Sequence, residues 1–275
     1  NMNQTDRVAL TFNRLSAEGR AGLVTFITAG DPDLETSQQL MERLPGAGAD
    51  LIELGMPFSD PMADGPAIQA ANLRALANGI SLHKTLDMVA RFRQGNERTP
   101  VILMGYFNPI YQYGPARFVR DAVESGVDGL IMVDLPPEED DELCDAARTA
   151  GLHWVRLVTP TSDEKRLKQV LRNTSGFIYY VSIAGITGTR SAAAGAVGDA
   201  VGALRQHTSL PIAVGFGINS ADQVRQTGEI ADGVVVGSAI IREIERNLDN
   251  LGVAKPQLLK RVSELVSALA EGLRS

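Results

Sequence analysis

The amino-acid sequence predicts an α/β fold, a (β/α)8 TIM barrel with an extra N-terminal helix. Eight short apolar runs recur along the chain, and each is followed by at least one segment with helical spacing of its apolar residues. Strands that alternate with helices form a parallel sheet, and eight such units in 275 residues fill one barrel. An open doubly wound sheet is the alternative, but no dinucleotide-binding glycine pattern follows the first predicted strand.

The predicted strands are apolar runs bounded by turn residues. They fall at residues 22–28, 51–55, 101–106, 129–134, 153–158, 177–181, 211–217 and 233–237. Helical spacing predicts helices at residues 2–19, 34–44, 67–77, 82–93, 116–124, 163–172, 221–227, 238–246 and 256–273. Asp33, Ser162 and Ser220 are suited to cap three of them, and the acidic residues 138–141 suit the start of one more.

The composition indicates a globular protein with a full core and excludes several other classes. Hydrophobic residues make up 44% of the chain, yet no apolar run reaches the ~18 residues of a membrane span. No basic, apolar leader opens the chain, so we expect a cytoplasmic protein and a single domain over residues 1–275, with Asn1 a cloning remnant. The net charge of −7 argues against a nucleic-acid surface. Cys144 is the only cysteine, so an internal disulfide is excluded, and we expect it to be buried in a helix.

The stretch 51–66 carries the first candidate catalytic residues. Glu53 lies in the middle of an apolar strand, and alternation puts it on the face opposite to Ile52 and Leu54. If those two pack against helices, Glu53 points into the barrel, where desolvation raises its pKa and makes it a candidate proton donor or acceptor. The loop that follows brings Asp60 and Asp64 over the end of the strand. The alternative is a Glu53 bonded to a neighbouring strand, with aspartates that only cap helices.

Glycines at the ends of the last three predicted strands indicate a phosphate site. Gly188 follows the sixth strand, Gly217 ends the seventh, and Gly237 with Ser238 opens a helix after the eighth. Backbone N–H groups at such positions can point at an anion, and glycine permits its close approach. In the alternative interpretation these glycines only form tight turns.

The positions of the lysines and histidines argue against two further kinds of catalytic site. The five lysines fall in predicted helices or loops, which argues against a Schiff-base mechanism. The three histidines lack the spacing of metal ligands, so no metal site is expected. Carboxylate acid/base chemistry on a phosphorylated substrate remains.

The sequence resembles the tryptophan synthase alpha subunit family. The resemblance rests on IELGMPFSDPMADGP at 52–66, GITGTRS at 185–191, GFGIN at 215–219 and GSAI at 237–240, in the order of that family. It extends from the first strand through the last helix. It implies retro-aldol cleavage of indole-3-glycerol phosphate to indole and glyceraldehyde 3-phosphate, without a metal or a cofactor in this chain.

The resemblance also implies roles for individual residues. Glu53 would be the general acid/base, and Asp64 would hold the indole N–H and stabilise its developing positive charge. Tyr179 would lie near the glycerol moiety, and Thr187 would pack on Asp64 when the loops close. The phosphate would bind the backbone of Gly188, Gly217, Gly237 and Ser238, and the indole pocket would be lined by Phe26, Ile68, Tyr106, Ile131 and Phe216.

The family resemblance implies a partner as well. Members work with a beta subunit that uses pyridoxal phosphate to join indole to serine, in an expected α2β2 heterotetramer. The loops that carry Pro57, Asp60 and Asn108 follow neighbouring strands, so we expect them to form the docking rim, with Ile110 as an exposed apolar group. We also expect a mobile lid at Arg190, unusually small over 190–194, and have no functional account of Arg156.

Two other functions fit the same residues less well. Another phosphate-binding barrel enzyme, such as an isomerase of a related substrate, would need a second base in place of the pair Glu53 and Asp64. A non-catalytic partner or activator would have no need of that pair, which is intact here.

Overall fold

The structure is a computed structural model that describes residues 5–60, 64–160, 163–182, 190–215 and 217–274, with side chains omitted for 190–194. Within these residues, nine parallel strands form one sheet that curls into a nearly closed barrel. The strands are β1 (Gly22–Thr28), β2 (Leu51–Gly55), β3 (Val101–Gly105), β4 (Gly129–Met132), β5 (His153–Trp154), β6 (Arg156–Val158), β7 (Ile178–Val181), β8 (Ile212–Gly215) and β9 (Gly233–Val236). The predicted barrel is confirmed.

The helices surround this sheet and mostly fall where the sequence predicts them. They are α1 (Arg7–Glu18), α2 (Leu34–Ala47), α3 (Pro66–Ala77), α4 (Leu82–Gly95), α5 (Phe107–Tyr113), α6 (Pro115–Ser125), α7 (Cys144–Thr149), α8 (Glu164–Leu171), α9 (Arg190–Arg205), α10 (Ala221–Gly228), α11 (Ser238–Arg246) and α12 (Leu258–Glu271). The caps Asp33 and Ser220 are confirmed, since their side chains accept from the amides of Thr36 and Gln223. None of the described helices is long and apolar enough to cross a membrane.

The predicted fifth strand is two short strands rather than one. Its first part, β5, pairs with β4, whereas its second part, β6, pairs with β7. The break lies at Val155, whose amide still donates to the carbonyl of Leu130 at 3.0 Å. The strands β5 and β6 are the two edges of the sheet, and they are consecutive in the chain. The backbone at Val155 therefore connects the two edges.

Two helical predictions are corrected by the structure, and one further segment proves to be helical. Residues 138–141 do not begin a helix, because residues Pro137–Glu139 form a 3-10 turn and α7 starts only at Cys144. Helix α8 is capped by Asp163, whose side chain accepts from the amide of Arg166, while the predicted cap Ser162 lies outside the described residues. Residues 190–194, predicted to be part of a mobile lid, form the first turn of α9, and the predicted mobility stays a prediction.

Helix α1 closes the N-terminal end of the barrel. Its apolar face, Val8, Phe12 and Leu15, is buried against inward-facing residues such as Leu51 of β2 and Phe177, just before β7. Charged groups tie the helix to the same end: the carboxylate of Asp6 contacts His153 at 2.9 Å, and Arg7 contacts Asp128 at 3.1 Å. The extra N-terminal helix thus serves as the floor of the barrel.

The outward faces of the strands pack against the helices and form the larger core. Ile52 and Leu54 are fully buried there, as alternation along β2 predicts. Cys144 is buried in the same layer, which confirms its predicted apolar role, and burial raises the pKa of its thiol to about 12.

Arg156, for which the sequence suggested no role, belongs to the outer layer of the barrel. Its side chain is only 7% exposed and forms an ion pair with Asp140. The amide of Asn173 donates to the other oxygen of Asp140 at 2.6 Å, and Arg156 also donates to the carbonyl of Val170 at 3.3 Å. Arg156 therefore holds α8 and the 3-10 turn against β6 and serves the fold.

Candidate active site

A cavity of ≈ 300 Å³ opens at the C-terminal ends of the barrel strands. The deep wall of the cavity is formed by side chains that point to the barrel interior. They lie above the inward-facing residues that pack on α1. Both Glu53 and Asp64 line it, together with the predicted residues Phe26, Ile68, Tyr106, Tyr179, Gly217, Gly237 and Ser238. The strand geometry thus gathers residues that are far apart in the sequence.

Glu53 lies at the centre of β2 and is fully buried. Neither of its carboxyl oxygens has a hydrogen-bond partner among the described residues. Desolvation raises its pKa from the ordinary 4.5 to about 8, as the sequence predicted in direction. At neutral pH the ligand-free site therefore holds Glu53 mainly as a neutral acid, able to donate a proton.

Asp64 sits just before helix α3, beside Gly65 and the N-terminal proline Pro66. The side-chain amide of Asn72 donates to its Oδ2 at 3.3 Å, and Tyr106 hydrogen-bonds the same carboxylate. Burial raises the pKa of Asp64, while these two hydrogen bonds oppose the rise. The two carboxyl groups of the cavity therefore differ, because Asp64 has donors for its charged form and Glu53 has none among the described residues.

Tyr179 places a half-buried phenol in the wall of the cavity next to Glu53. Its hydroxyl lies over Gly215, where an added Cβ would come within 2.6 Å of the oxygen. Burial, followed by the charge of Glu53, raises its pKa well above its ordinary value. Tyr179 therefore remains a neutral hydroxyl that can donate or accept a hydrogen bond.

One predicted wall residue lies below the cavity. Ile131 faces the barrel interior but is fully buried among the residues that pack on α1. Val133, two residues further along, faces the cavity instead. Because alternate residues of a strand share a face, the prediction chose the correct face but one layer too deep.

The glycines of the last strands lie at the mouth of the cavity. Gly217 has a φ of +73° and an added Cβ there would meet open space, so its backbone is accessible. Gly237 is the N-cap of α11, and the amides of Ser238 and Ala239 find no backbone acceptor among the described residues. This arrangement leaves N–H groups free to bind an anion at the positive end of a helix.

Some predicted residues cannot be placed. Thr187, Gly188 and Phe216 lie outside the described residues, so their predicted roles stay predictions.

One of the two loops predicted to form the docking rim is a helix in the structure. Pro57 and Asp60 follow β2 and lie at the surface. Asn108, however, belongs to helix α5 rather than to a loop, and Ile110 of the same helix is fully buried instead of exposed. The exposed apolar group in this helix is Tyr111, which is 63% accessible.

The structure adds residues to the site that the sequence did not indicate. Asn72 and Arg242 both line the cavity, as do Met104, Leu157 and Thr159. Asn72 had a signal, since it is a polar residue on the buried side of α3 next to Ala71 and Ala75. Within the described part of the chain, no group of three or more His, Cys, Asp or Glu side chains is arranged to hold a metal ion.

Comparison with known proteins identifies relatives of this barrel and cavity. Residues 12–271 match the family described as tryptophan synthase alpha chain. The structure is similar to the tryptophan synthase alpha subunit of Legionella pneumophila, with 40% identity, a TM-score of 0.90, and coverage of 98% of this chain and 99% of the other. A chain from Aquifex aeolicus VF5 matches at 35% identity and a TM-score of 0.87, covering 98% and 100%. A chain of tryptophan synthase from M. tuberculosis matches at 32% identity and a TM-score of 0.86, covering 98% and 99%.

Proposed function

The chain belongs to the tryptophan synthase alpha chain family, and from this premise we propose that Glu53 and Asp64 perform the cleavage that defines the family. The protein is a lyase of tryptophan biosynthesis that cleaves indole-3-glycerol phosphate and pairs with a beta subunit.

Glu53 is proposed to act first as an acid and then as a base. Its neutral carboxyl donates a proton to the indole ring carbon that bears the glycerol chain, which turns the ring into an indoleninium. The bond between that carbon and the hydroxyl-bearing carbon then breaks as the hydroxyl proton leaves, giving the aldehyde and indole. The Glu53 carboxylate takes this proton, so the residue ends the cycle in its starting state.

Asp64 is proposed to balance the positive charge of the intermediate. Its carboxylate is held by Asn72 and Tyr106, so it is oriented before the substrate arrives. A fixed negative group beside the indole nitrogen stabilises the protonated ring more than the neutral one, which is what accelerates the step. The two hydrogen bonds favour ionised Asp64, as this role requires.

The remaining lining residues are proposed to bind the substrate. Phe26, Ile68 and Tyr106 offer apolar walls for the flat indole ring, and Tyr179 offers a hydroxyl to the glycerol portion. The phosphate is proposed to bind the backbone at Gly217, Gly237 and Ser238, with Gly188 as the further predicted donor. The partner beta subunit is proposed to carry pyridoxal phosphate, in an α2β2 assembly.

The observation that carries the proposal is an acid buried in the cavity wall with no described partner, beside a second carboxylate that has two. The test is the rate of indole release from indole-3-glycerol phosphate by the wild type, E53Q and D64N, each with a beta subunit. We expect E53Q to lose about 10²- to 10⁴-fold in kcat, since it keeps the shape but has no proton to donate. D64N should also lose kcat, through the missing charge.

The outcomes separate the competing functions. Near wild-type turnover by E53Q would refute its role as acid and base. A rise in KM with unchanged kcat in D64N would make Asp64 a binding residue only. If the wild type releases no indole even with the beta subunit, the chain is a non-catalytic partner. E271Q, which changes an exposed glutamate of α12, is the control for the loss of a carboxyl group elsewhere.

A further inference from the structure

Arg242 is a cationic wall residue of the cavity that the proposed mechanism leaves without a role. We propose that it is a specificity-determining residue that pairs with the phosphate of the substrate, an inference that rests on the proposed phosphate site. It lies on α11 and lines the same cavity as Gly237, Ser238 and Ala239 at the start of that helix. The cavity thus receives backbone and side-chain groups from one helix.

The helix geometry directs Arg242 toward the proposed anion. It follows Ser238 by four residues, so the two side chains lie on the same face, one turn apart. Side chains of an α-helix lean toward its N-terminus, and Arg242 is long enough to span one turn. Its guanidinium is therefore carried back toward the amides of Ser238 and Ala239.

The charge of Arg242 is available for a ligand. It forms no ion pair with any described residue, although glutamates lie close to it in the sequence. Glu243 pairs instead with Arg246, at 2.9 Å. Of the described residues that line the cavity, Arg242 is the only lysine, arginine or histidine. An exposed, uncompensated guanidinium is well suited to receive a phosphate.

The backbone donors alone leave most of the substrate charge unbalanced. A phosphate monoester carries about −1.5 to −2 charges near neutral pH, whereas a helix N-terminus supplies the equivalent of about +0.5. The cavity itself adds the carboxylate of Asp64, and the whole chain has a net charge of −7. A full positive charge at Arg242 supplies the compensation that the amides lack, and it selects phosphorylated over uncharged sugars.

In the reverse reaction the phosphate and the indole ring belong to two different substrates, so the binding of each can be measured separately. Condensation of indole with glyceraldehyde 3-phosphate is measured for the wild type, R242Q, R242K and R246Q, with the beta subunit present and serine absent. We expect R242Q to raise KM for glyceraldehyde 3-phosphate about threefold to tenfold, with KM for indole and kcat nearly unchanged. R242K, which keeps the charge, should recover part of the loss, and R246Q on the same helix should match the wild type.

Salt provides a second readout that a merely structural role would not change. Raising the ionic strength should weaken glyceraldehyde 3-phosphate binding in the wild type and much less in R242Q. Salt screens the attraction between Arg242 and the phosphate, and R242Q lacks that attraction. Equal KM values and equal salt dependence in the wild type and R242Q would overturn the proposal. A rise in KM for indole, or a fall in kcat alone, would equally overturn it.

The proposed function can fail independently of this inference. A crystal soaked with glycerol 3-phosphate shows whether the phosphate lies at Gly217, Gly237 and Ser238. If it lies there and R242Q behaves as the wild type, only the role of Arg242 is wrong. If it lies elsewhere in the cavity, both the phosphate site and the pairing with Arg242 are refuted.

Discussion

Replacing Glu53 by glutamine should change how the stability of the protein depends on pH. Burial raises the pKa of Glu53 from 4.5 to about 8, so the folded state binds its proton more tightly than the unfolded state does. Below about pH 4.5 both states hold the proton and the group costs nothing. As the pH rises toward 8, the unfolded state alone gains from ionisation, and the free energy of unfolding falls. The glutamine of E53Q cannot ionise, so the free energy of unfolding of this variant should not fall in this way.

The size of the effect follows from the two pKa values. Each pH unit between 4.5 and about 8 costs the wild type about 1.4 kcal/mol, so 2.5 units up to pH 7 amount to roughly 3 kcal/mol. The buried amide introduced by E53Q would bring a cost of its own, about 1 to 3 kcal/mol, but that cost does not vary with pH. The difference in slope between E53Q and the wild type is therefore the informative quantity.

Urea unfolding at several pH values between about 5 and 9 measures this slope. The fluorescence of Trp154 reports it, because Trp154 is the only tryptophan of the chain and is buried in the core between the strands and the helices. The free energies of E53Q and the wild type should diverge steadily up to about pH 8 and then run parallel. E271Q, at an exposed position, should follow the wild type. Parallel curves for E53Q and the wild type over the whole range would refute the raised pKa and the reasoning from burial.

Three further changes test other parts of the structure. Gly237→Val should raise KM for indole-3-glycerol phosphate more than about tenfold by blocking the backbone donors, and unchanged KM in steady-state kinetics would argue against a phosphate there. Arg156→Met should lower the free energy of unfolding, measured in urea, by about 3 kcal/mol because Asp140 loses its buried partner, whereas kcat of the folded protein should not change. Substitution of Pro57 or Asp60 should reduce the activation by a beta subunit more than the basal rate, and equal losses would show that this loop serves catalysis only.

The barrel could be predicted because its pattern is repeated and strongly apolar. The first strand and α11 fall at the predicted residues, since both are bounded by clear turn and capping signals. Helix α5 was missed because it has only seven residues and contains Pro109, which reads as a loop although proline is tolerated in a first turn. The start of α9 was missed because the segment before it is rich in glycine, serine and threonine and reads as a loop, although the alanines that follow are strong helix formers.

The site was predictable only where a residue contradicts its local pattern. Glu53 was indicated because an ionisable group stands in an apolar strand, and its burial without a described partner agrees with that expectation. Arg242 gave no such signal, since an arginine on an amphipathic helix is ordinary, and only the tertiary structure brings it to the cavity. Ile131 shows the same limit, because alternation gives the face of a strand but not the depth at which a cavity begins.

Helix α1 leaves the barrel open at one end only. With Val8, Phe12 and Leu15 packed across the N-terminal end, a small aromatic molecule set free beside Glu53 has no exit through the centre of the sheet. It has to leave past the rim by which the substrate entered. A beta subunit seated on that rim would therefore control traffic in both directions, admitting the phosphorylated substrate and collecting the indole. With a partner in that position, a closed floor would let the shape of the barrel, rather than a high affinity for indole, direct the product to the partner.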